Sequence, residues 1–318
     1  MVSMACFSDL MVTQKSKGTT RLEKISGLIN WTCFDERLEK ILNRSGMGPT
    51  GYPPRQMFKV LILQNLYGLS DPEMEEMLYD RLSFRRFCDF SLNATIPDET
   101  TICRFRGALR GHTDKLFALV MTELSKQGIK LKSGAIIDAS VIQSSVRPPQ
   151  GGTVSSKDSE AGWTKKRDKW TYGYKAHLAS DEETGLIKKV IATSADVHDS
   201  QVFGQLLNGN ETAVYADKAY GSKENRDLLK DHDIIDKLMH KGSRGRKQPN
   251  WEVQLNKIWG RTRGGVERIF GHLKTGMNLT RSRYKGWVRH QVHFDLIAMA
   301  YNLRQSVTLL NKRAKLAG

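Results

Sequence analysis

The stretch GAIIDASVIQ, residues 134–143, limits this chain more than any other. Its apolar residues run almost without a break and favour extended backbone, the pattern of a strand covered on both faces. Asp138 stands in the middle of it. A carboxylate inside such a run is costly unless a cation meets it. The chain must therefore build a sheet with an acid in it and bring positive charge to that acid.

The rest of the pattern divides at about residue 126. Before it, residues 1–50 are weakly patterned, with NWTCFDERLEKIL (30–42) reading as one short helix. GYPP (51–54) then opens a run of helices. RQMFKVLILQNLYGL is apolar enough to be buried all round. Ser70 and Glu73 have the spacing of a capping box, and Pro72 fits the first turn that follows. LSFRRFCDF suits a further helix. Asp98 is placed to cap another, which carries Arg104, Arg106 and Arg110. Such a cluster of short helices, 52–126, can lay one helix in a DNA major groove or simply pack as a helical domain.

After residue 126 the period changes. RPPQGGTVSSKDSEAGWTKKRDKW (147–170) is too rich in Gly, Ser and charge for a core element and reads as a loop. YGYKAHLAS and GLIKKVIATS flank DEETG as a hairpin. DVHDSQVFGQLL is a capped helix, AVYAD (213–217) a short buried strand, KENRDLLKDH a helix and DIIDKLM a strand. Residues 251–275 and 287–312 are long helices. This order gives a mixed α/β layer fold for 127–318, preceded by the helical segment 1–126.

Charge limits the partners. The chain holds 50 Lys and Arg against 34 Asp and Glu, a net of +16. Thirteen of those bases, with only two Glu, fall between His240 and Arg289. A surplus this large predicts a polyanionic partner, nucleic acid first. A membrane is disfavoured: no basic amphipathic helix stands alone, and no apolar run approaches the ~18 residues of a spanning helix. MVSMACFSDLM has neither the basic start nor the apolar stretch of a secretory leader. Cys6, Cys33, Cys88 and Cys103 form no C-x-x-C pair, which predicts reduced thiols in a cytoplasmic, nucleoid-associated protein.

Three acids stand out: Asp138 in its strand, Asp217 where AVYAD gives way to a loop, and Glu267 within the basic RTRGGVERIFGHLK (261–274). Each alone reads first as a structural ion pair or a cap. Together they predict a site. Ends of neighbouring strands collect functional groups, and a helix across them can add the third acid. Converging carboxylates repel unless divalent cations sit between them, and oxygen ligands suit Mg²⁺ or Mn²⁺. Two such ions about 3.5–4 Å apart assist phosphodiester cleavage. At helical spacing 263, 267, 270 and 274 share a side, so Arg263 and Lys274 flank Glu267. Gly264 and Gly265 cost a helix about 1 kcal/mol each, which predicts a close backbone approach there.

The segments IPDETTICRFR, IIDASVI, YGYKAHLASDEETGLI, TSADVHDS, VYADKAYGS and RGGVERIFGHLK, in this order, resemble the bacterial insertion-sequence transposases of the DDE type, most closely the group named after insertion sequence five. The resemblance covers about residues 52–305. It implies an RNase H-like mixed sheet with flanking helices, and Asp138, Asp217 and Glu267 as the catalytic, metal-holding acids. It also implies a Mg²⁺ or Mn²⁺ pair and, in the active complex, a homodimer on double-stranded DNA. Cleavage at the terminal inverted repeats and joining to target DNA follow from it. The family's last motif runs tyrosine, arginine, glutamate, lysine. Arg263, Glu267 and Lys274 fit it, while Gly260, beside Trp259, replaces the tyrosine.

The expected DNA contacts are Arg263, Lys274, Arg268, Lys175, His177, Arg104 and Arg106. Lys175 and His177 share a strand face, and for them a structural role is the stronger competing reading. His198 and Asp199 are either site residues or, for Asp199, a helix cap. Trp163 and Trp170 either stack on an unpaired base or bury the loop against the core. A DNA-binding protein without catalysis and a plain RNase H-like nuclease are the other readings of this chain.

Overall fold

The computed structural model describes residues 20–42, 51–166, 168–242 and 247–317. Cys6 and part of the basic segment, 243–246, lie outside the described residues. The chain divides into two units, residues 1–130 with 295–318, and residues 131–294. The last helix, placed with the sheet on sequence grounds, therefore has most of its length, from Asp295 on, in the helical unit.

In the helical unit, α1 (Arg21–Ser26) and α2 (Asp35–Leu42) are separated by a 3₁₀ turn, Trp31–Phe34, so NWTCFDERLEKIL is not one continuous α-helix. Next come α3 (Pro54–Tyr67), α4 (Asp71–Asp80), α5 (Leu82–Phe87), α6 (Glu99–Ala108) and α7 (Thr113–Lys126). α3 starts on Pro54, needs no first amide, and stops at Gly68 in the left-handed region at φ 64°. Its positions from Met57 to Leu66 are all buried. α4 carries the expected capping box: Ser70 accepts from the Glu73 amide and Glu73 accepts from the Ser70 amide. Asp98 caps α6 through the Thr101 amide at 2.6 Å. The final helix, α11 (Trp287–Ala317), returns to this unit, where Asp295 accepts from Thr113 at 2.6 Å. No described helix is long and apolar enough to cross a membrane.

The second unit is a six-stranded mixed sheet: β1 (Gly134–Gln143), β2 (Gly162–Lys166), β3 (Lys169–Asp181), β4 (Ile187–Ser194), β5 (Ala213–Ala216) and β6 (Ile235–Leu238). Strand order is β2-β3-β1-β5-β6, with β4 also on β3. β1 runs antiparallel to β3 and parallel to β5, and β5 parallel to β6. β2 corrects the reading of 147–170 as a loop. Among the described residues it pairs only with β3, and its lysines are exposed. Such a strand needs no continuous apolar face, so hydrophobic patterning cannot reveal it.

Alternation along β1 sorts its two faces. Ala135 and Ile137 join Val214, Ala216 and Leu238 in a core closed by α8 (Asp199–Leu206) and α9 (Lys223–Asp231). Ile136 and Asp138 face the other way, toward α10 (Asn250–Gly276).

Replacing Ser70 by Ala leaves the Glu73 amide without its partner. Chemical denaturation is expected to show a loss of about 1 kcal/mol.

Candidate active site

β1 and β5 pair in parallel with Ile137 opposite Ala216. The next position on each chain is therefore an acid, Asp138 and Asp217, at one level of the sheet. Asp217 opens a 3₁₀ turn, Lys218–Tyr220, and its carboxylate accepts from the Lys218 amide at 2.7 Å. Asp138 accepts from the Ala139 amide at 2.9 Å.

α10 lies over these strands because its second half has an apolar stripe, with Val266, Ile269, Phe270 and Leu273 buried. The two glycines behave differently. A Cβ on Gly265 would stand 3.3 Å from the Ile136 methyl, so this is where helix and strand approach. Gly264 has nothing within 4 Å of the same position.

The helix delivers the cation that Asp138 demanded. Arg263 Nη1 donates to Asp138 Oδ2 at 2.9 Å, and Nη2 donates to Glu267 Oε1 at 2.6 Å. Asp138 and Arg263 are about equally sheltered, with side chains 20% and 19% exposed, whereas Glu267 is 60% exposed. The expected convergence of three bare carboxylates therefore takes another form: a guanidinium sits between two of them. Among the described residues, no three His, Cys, Asp or Glu side chains are grouped so as to hold a metal ion. Burial pushes the Asp138 carboxyl up to about 6; Arg263 opposes this and the neighbouring Asp217 adds to it.

The other expected residues separate by burial. Lys274 is half-buried, and its ammonium is held below the usual lysine range by burial and by Lys166. Arg268 is exposed. Arg104 is exposed on α6, but Arg106 is buried and ion-paired with Asp71, so the expected DNA contact at Arg106 is corrected to a structural tie between α6 and α4. His177 is fully buried against Thr193 at 2.8 Å, and burial lowers it to about 4, so it is neutral and screened from any phosphate. Lys175 is committed to Asp199 at 2.9 Å and the Val197 carbonyl at 2.7 Å. The DNA contacts expected of Lys175 and His177 are thus replaced by internal roles. His198, not Asp199, caps α8, accepting from the Ser200 amide.

The two tryptophans also part company. Trp163 donates to the Thr153 carbonyl at 2.8 Å and packs on Tyr172. Trp170 is 59% exposed, with Lys165 Nζ 5.8 Å from its ring. Trp259, beside the Gly260 that replaces the family tyrosine, stacks on His240. Lys166 was missed because it lies in the segment read as a loop. It acts electrostatically on both Asp138 and Lys274, after burial and, at Asp138, the stronger effects of Arg263 and Asp217.

Two expectations follow. The folded-state value of Asp138 is raised above 3.8, so its ionised form costs stability as pH rises through the interval to about 6. Asp138→Asn removes that cost. In chelator, the variant should melt above the wild type at about pH 8, and the difference should close below about pH 4. Gly264→Ala should stabilise by about 1 kcal/mol, while Gly265→Leu should destabilise, since its side chain must displace Ile136.

Comparison with known proteins places the chain in a family. Residues 129–303, more than half of the chain, match the Transposase DDE domain, and residues 10–108 match the Transposase domain (DUF772). Among solved structures, the piggyBac transposase synaptic complex with hairpin DNA is similar at 11% identity over 93% of this chain and 77% of that one, with TM-score 0.45. A pre-cleavage Mos1 transpososome is similar at 9% identity over 84% of this chain and 99% of that one, with TM-score 0.22. With two transposase families matched in order along it, the chain belongs to the DDE transposases and is a DNA-cleaving and strand-transfer enzyme.

Proposed function

We propose that Asp138, Asp217 and Glu267 are the catalytic acids of this transposase, set in an RNase H-like core, and that it mobilises an insertion sequence of the group named after insertion sequence five. One observation carries the reading. Two acids at one level of adjacent parallel strands face a helix whose own acid is tied to the first of them through Arg263.

The donor chemistry of these residues suits a divalent ion, which would need Arg263 to give up its place between Asp138 and Glu267. Their donors are carboxylate oxygens, which suit Mg²⁺ or Mn²⁺. Burial, with a smaller effect of Asp217, makes Asp138 resist ionisation, and the position between Asp138 and Glu267 already receives a cationic group, the guanidinium of Arg263. Asp138, Asp217 and Glu267 would hold the ions, two by this reading. When bound, such ions help to activate a nucleophile and stabilise the leaving oxygen.

The chain's own side chains then have separate tasks. Asp138 and Asp217 are fixed by the amides of Ala139 and Lys218, so their oxygens keep their direction. Arg263 can exchange its carboxylate partners for a DNA phosphate, since a guanidinium binds both in the same forked geometry. Arg268 and Lys274 extend this positive side along α10, and Arg104 offers a separate contact in the helical unit. Trp170 supplies an exposed aromatic face for an unpaired base. The substrate is double-stranded DNA bearing terminal inverted repeats, engaged by a homodimer. Water attacks at the ends of the element, and the freed 3′-hydroxyl then attacks target DNA.

The test is cleavage of a supercoiled plasmid carrying the element's own ends, in Mg²⁺ or chelator. The wild type is expected to cut at the ends only with metal. Glu267→Gln should cut at least about 100-fold more slowly while still binding the DNA. Binding without any metal-dependent cutting would favour a catalytically silent DNA-binding protein. Cutting indifferent to the ends would favour a plain nuclease.

A further inference from the structure

β1 continues past Asp138 to Gln143, which at about 3.3 Å per residue carries its end roughly 17 Å beyond that acid. Two segments flank this end. On one side β3 pairs with β1 as far as Gly173, opposite Gln143, and then continues with β2 alone to Lys169. The β2–β3 hairpin therefore overhangs β1. On the other side β5 has stopped at Ala216, opposite Ile137, and residues 280–282 lie beside β1 instead. The Gln143 amide donates to the Thr280 carbonyl at 3.2 Å, and the Ser282 amide donates to the Gln143 carbonyl at 2.7 Å. Residues 281–289 lead from there into α11.

Both segments are cationic. Lys165, Lys166 and Lys169 in the hairpin are exposed, as are Arg281, Lys285 and Arg289 in the loop. Among the described residues, none of these bases takes part in an ion pair. The acids in and before the hairpin are Asp158, which is buried, Glu160, which accepts from the Trp287 amide at 2.6 Å, and exposed Asp168. Lysines on an edge strand also discourage edge-to-edge pairing, but Lys285 and Arg289 belong to no strand. A solvated charged face does not explain Trp170 and Trp287 either, which stand beside these bases in the chain and are 59% and 50% exposed. Exposed apolar rings grouped in this way mark a contact surface.

A buried polar cluster fixes the two segments to one another. Asp158 accepts from Ser144 Oγ at 2.6 Å, from the Tyr174 hydroxyl at 2.5 Å and from the Gly286 amide at 3.2 Å. His290 stacks on Tyr174 with ring centroids 3.7 Å apart, and its Nδ1 donates to the Gly286 carbonyl at 2.7 Å. Holding like charges together is unfavourable, and a polyanion lying across both segments relieves it. A surface held in place beforehand also binds with little ordering cost.

We infer that the β2–β3 hairpin and the 281–289 loop form a DNA-contact surface separate from the acids. On it Lys165, Lys166, Lys169, Lys285 and Arg289 grip the phosphates of the duplex being cut, about 5 base pairs from the scissile phosphate at 3.4 Å per base pair. That spacing rests on reading Asp138 as catalytic. The surface itself rests on the charge, the exposed rings and the buried cluster beneath them.

The experiment compares wild type with two double variants, Lys165→Gln/Lys169→Gln and Lys285→Gln/Arg289→Gln. A charge-matched control, Lys223→Gln/Lys230→Gln, alters exposed lysines of α9, behind the sheet. Affinity for an element-end duplex is measured by fluorescence anisotropy over a series of salt concentrations. Each phosphate contact contributes about 0.9 to the slope of log affinity against log salt, so each test pair should lower the slope by about 2 and the control should not. Neutral methylphosphonate linkages about 5 base pairs from the cut should weaken wild-type binding and matter less to the test pairs. Slopes in both test pairs equal to the control's would overturn the proposal. So would intact binding and cleavage of element ends with a loss confined to joining, which would assign the surface to target DNA. If Glu267→Gln cuts as fast as the wild type, the reading of the acids is what has failed, and the salt slopes still decide the surface.

Discussion

The Arg263 guanidinium is the interaction on which the second unit's centre depends. It joins α10 to β1 through Asp138 and braces Glu267 one turn along its own helix. Placing an acid in a strand buried on both sides is unfavourable in isolation. The pairing makes it tolerable without making it comfortable, since Asp138 remains pushed up to about 6. That residual cost is informative. A site selected for stability alone would have an apolar residue at position 138, as at 136 and 137. Retaining the acid at a cost to the fold agrees with the catalytic role proposed for it.

Close approach is the second condition. Arg263 reaches Asp138 only because the helix lies low enough over the strand, and Gly265 is the point of that approach, above Ile136. The neighbouring Gly264 faces open space and sets no such distance. Behind the sheet, the opposite face of β1 and β5 packs a wholly apolar cluster, into which the Tyr220 ring is pressed. The acid layer is thus gripped from both sides. α10 holds it by charge, and the turn after β5 holds it by the covalent link from Asp217 to a buried aromatic ring.

Several expected site residues were displaced by burial, for a common physical reason. Lys175, His177 and Arg106 looked like DNA contacts because they are basic and lie in the right segments. Net charge and sequence spacing do not reveal which side of an element meets solvent. In the structure, Arg106 is consumed by Asp71 and Lys175 by Asp199, and His177 is sealed in the sheet and kept neutral. Arg104, two positions from Arg106, remains exposed because successive helical residues point in different directions.

Local rules written in single stretches determined much of this protein. The capping box at Ser70 and Glu73, the Asp98 cap, the left-handed stop at Gly68, the strand of Asp138 and the long basic helix all follow from neighbouring residues, because helix ends and strand runs are satisfied within a few positions. The presence of three acids was equally legible. Only the tertiary structure decided what stands between them. The parallel register of β1 on β5, the return of residues from Asp295 on to the helical unit, the edge strand β2 and the seat of Arg263 between Asp138 and Glu267 join residues far apart in the chain. Packing and charge settle such pairings over the whole fold, and no short window of sequence contains both partners.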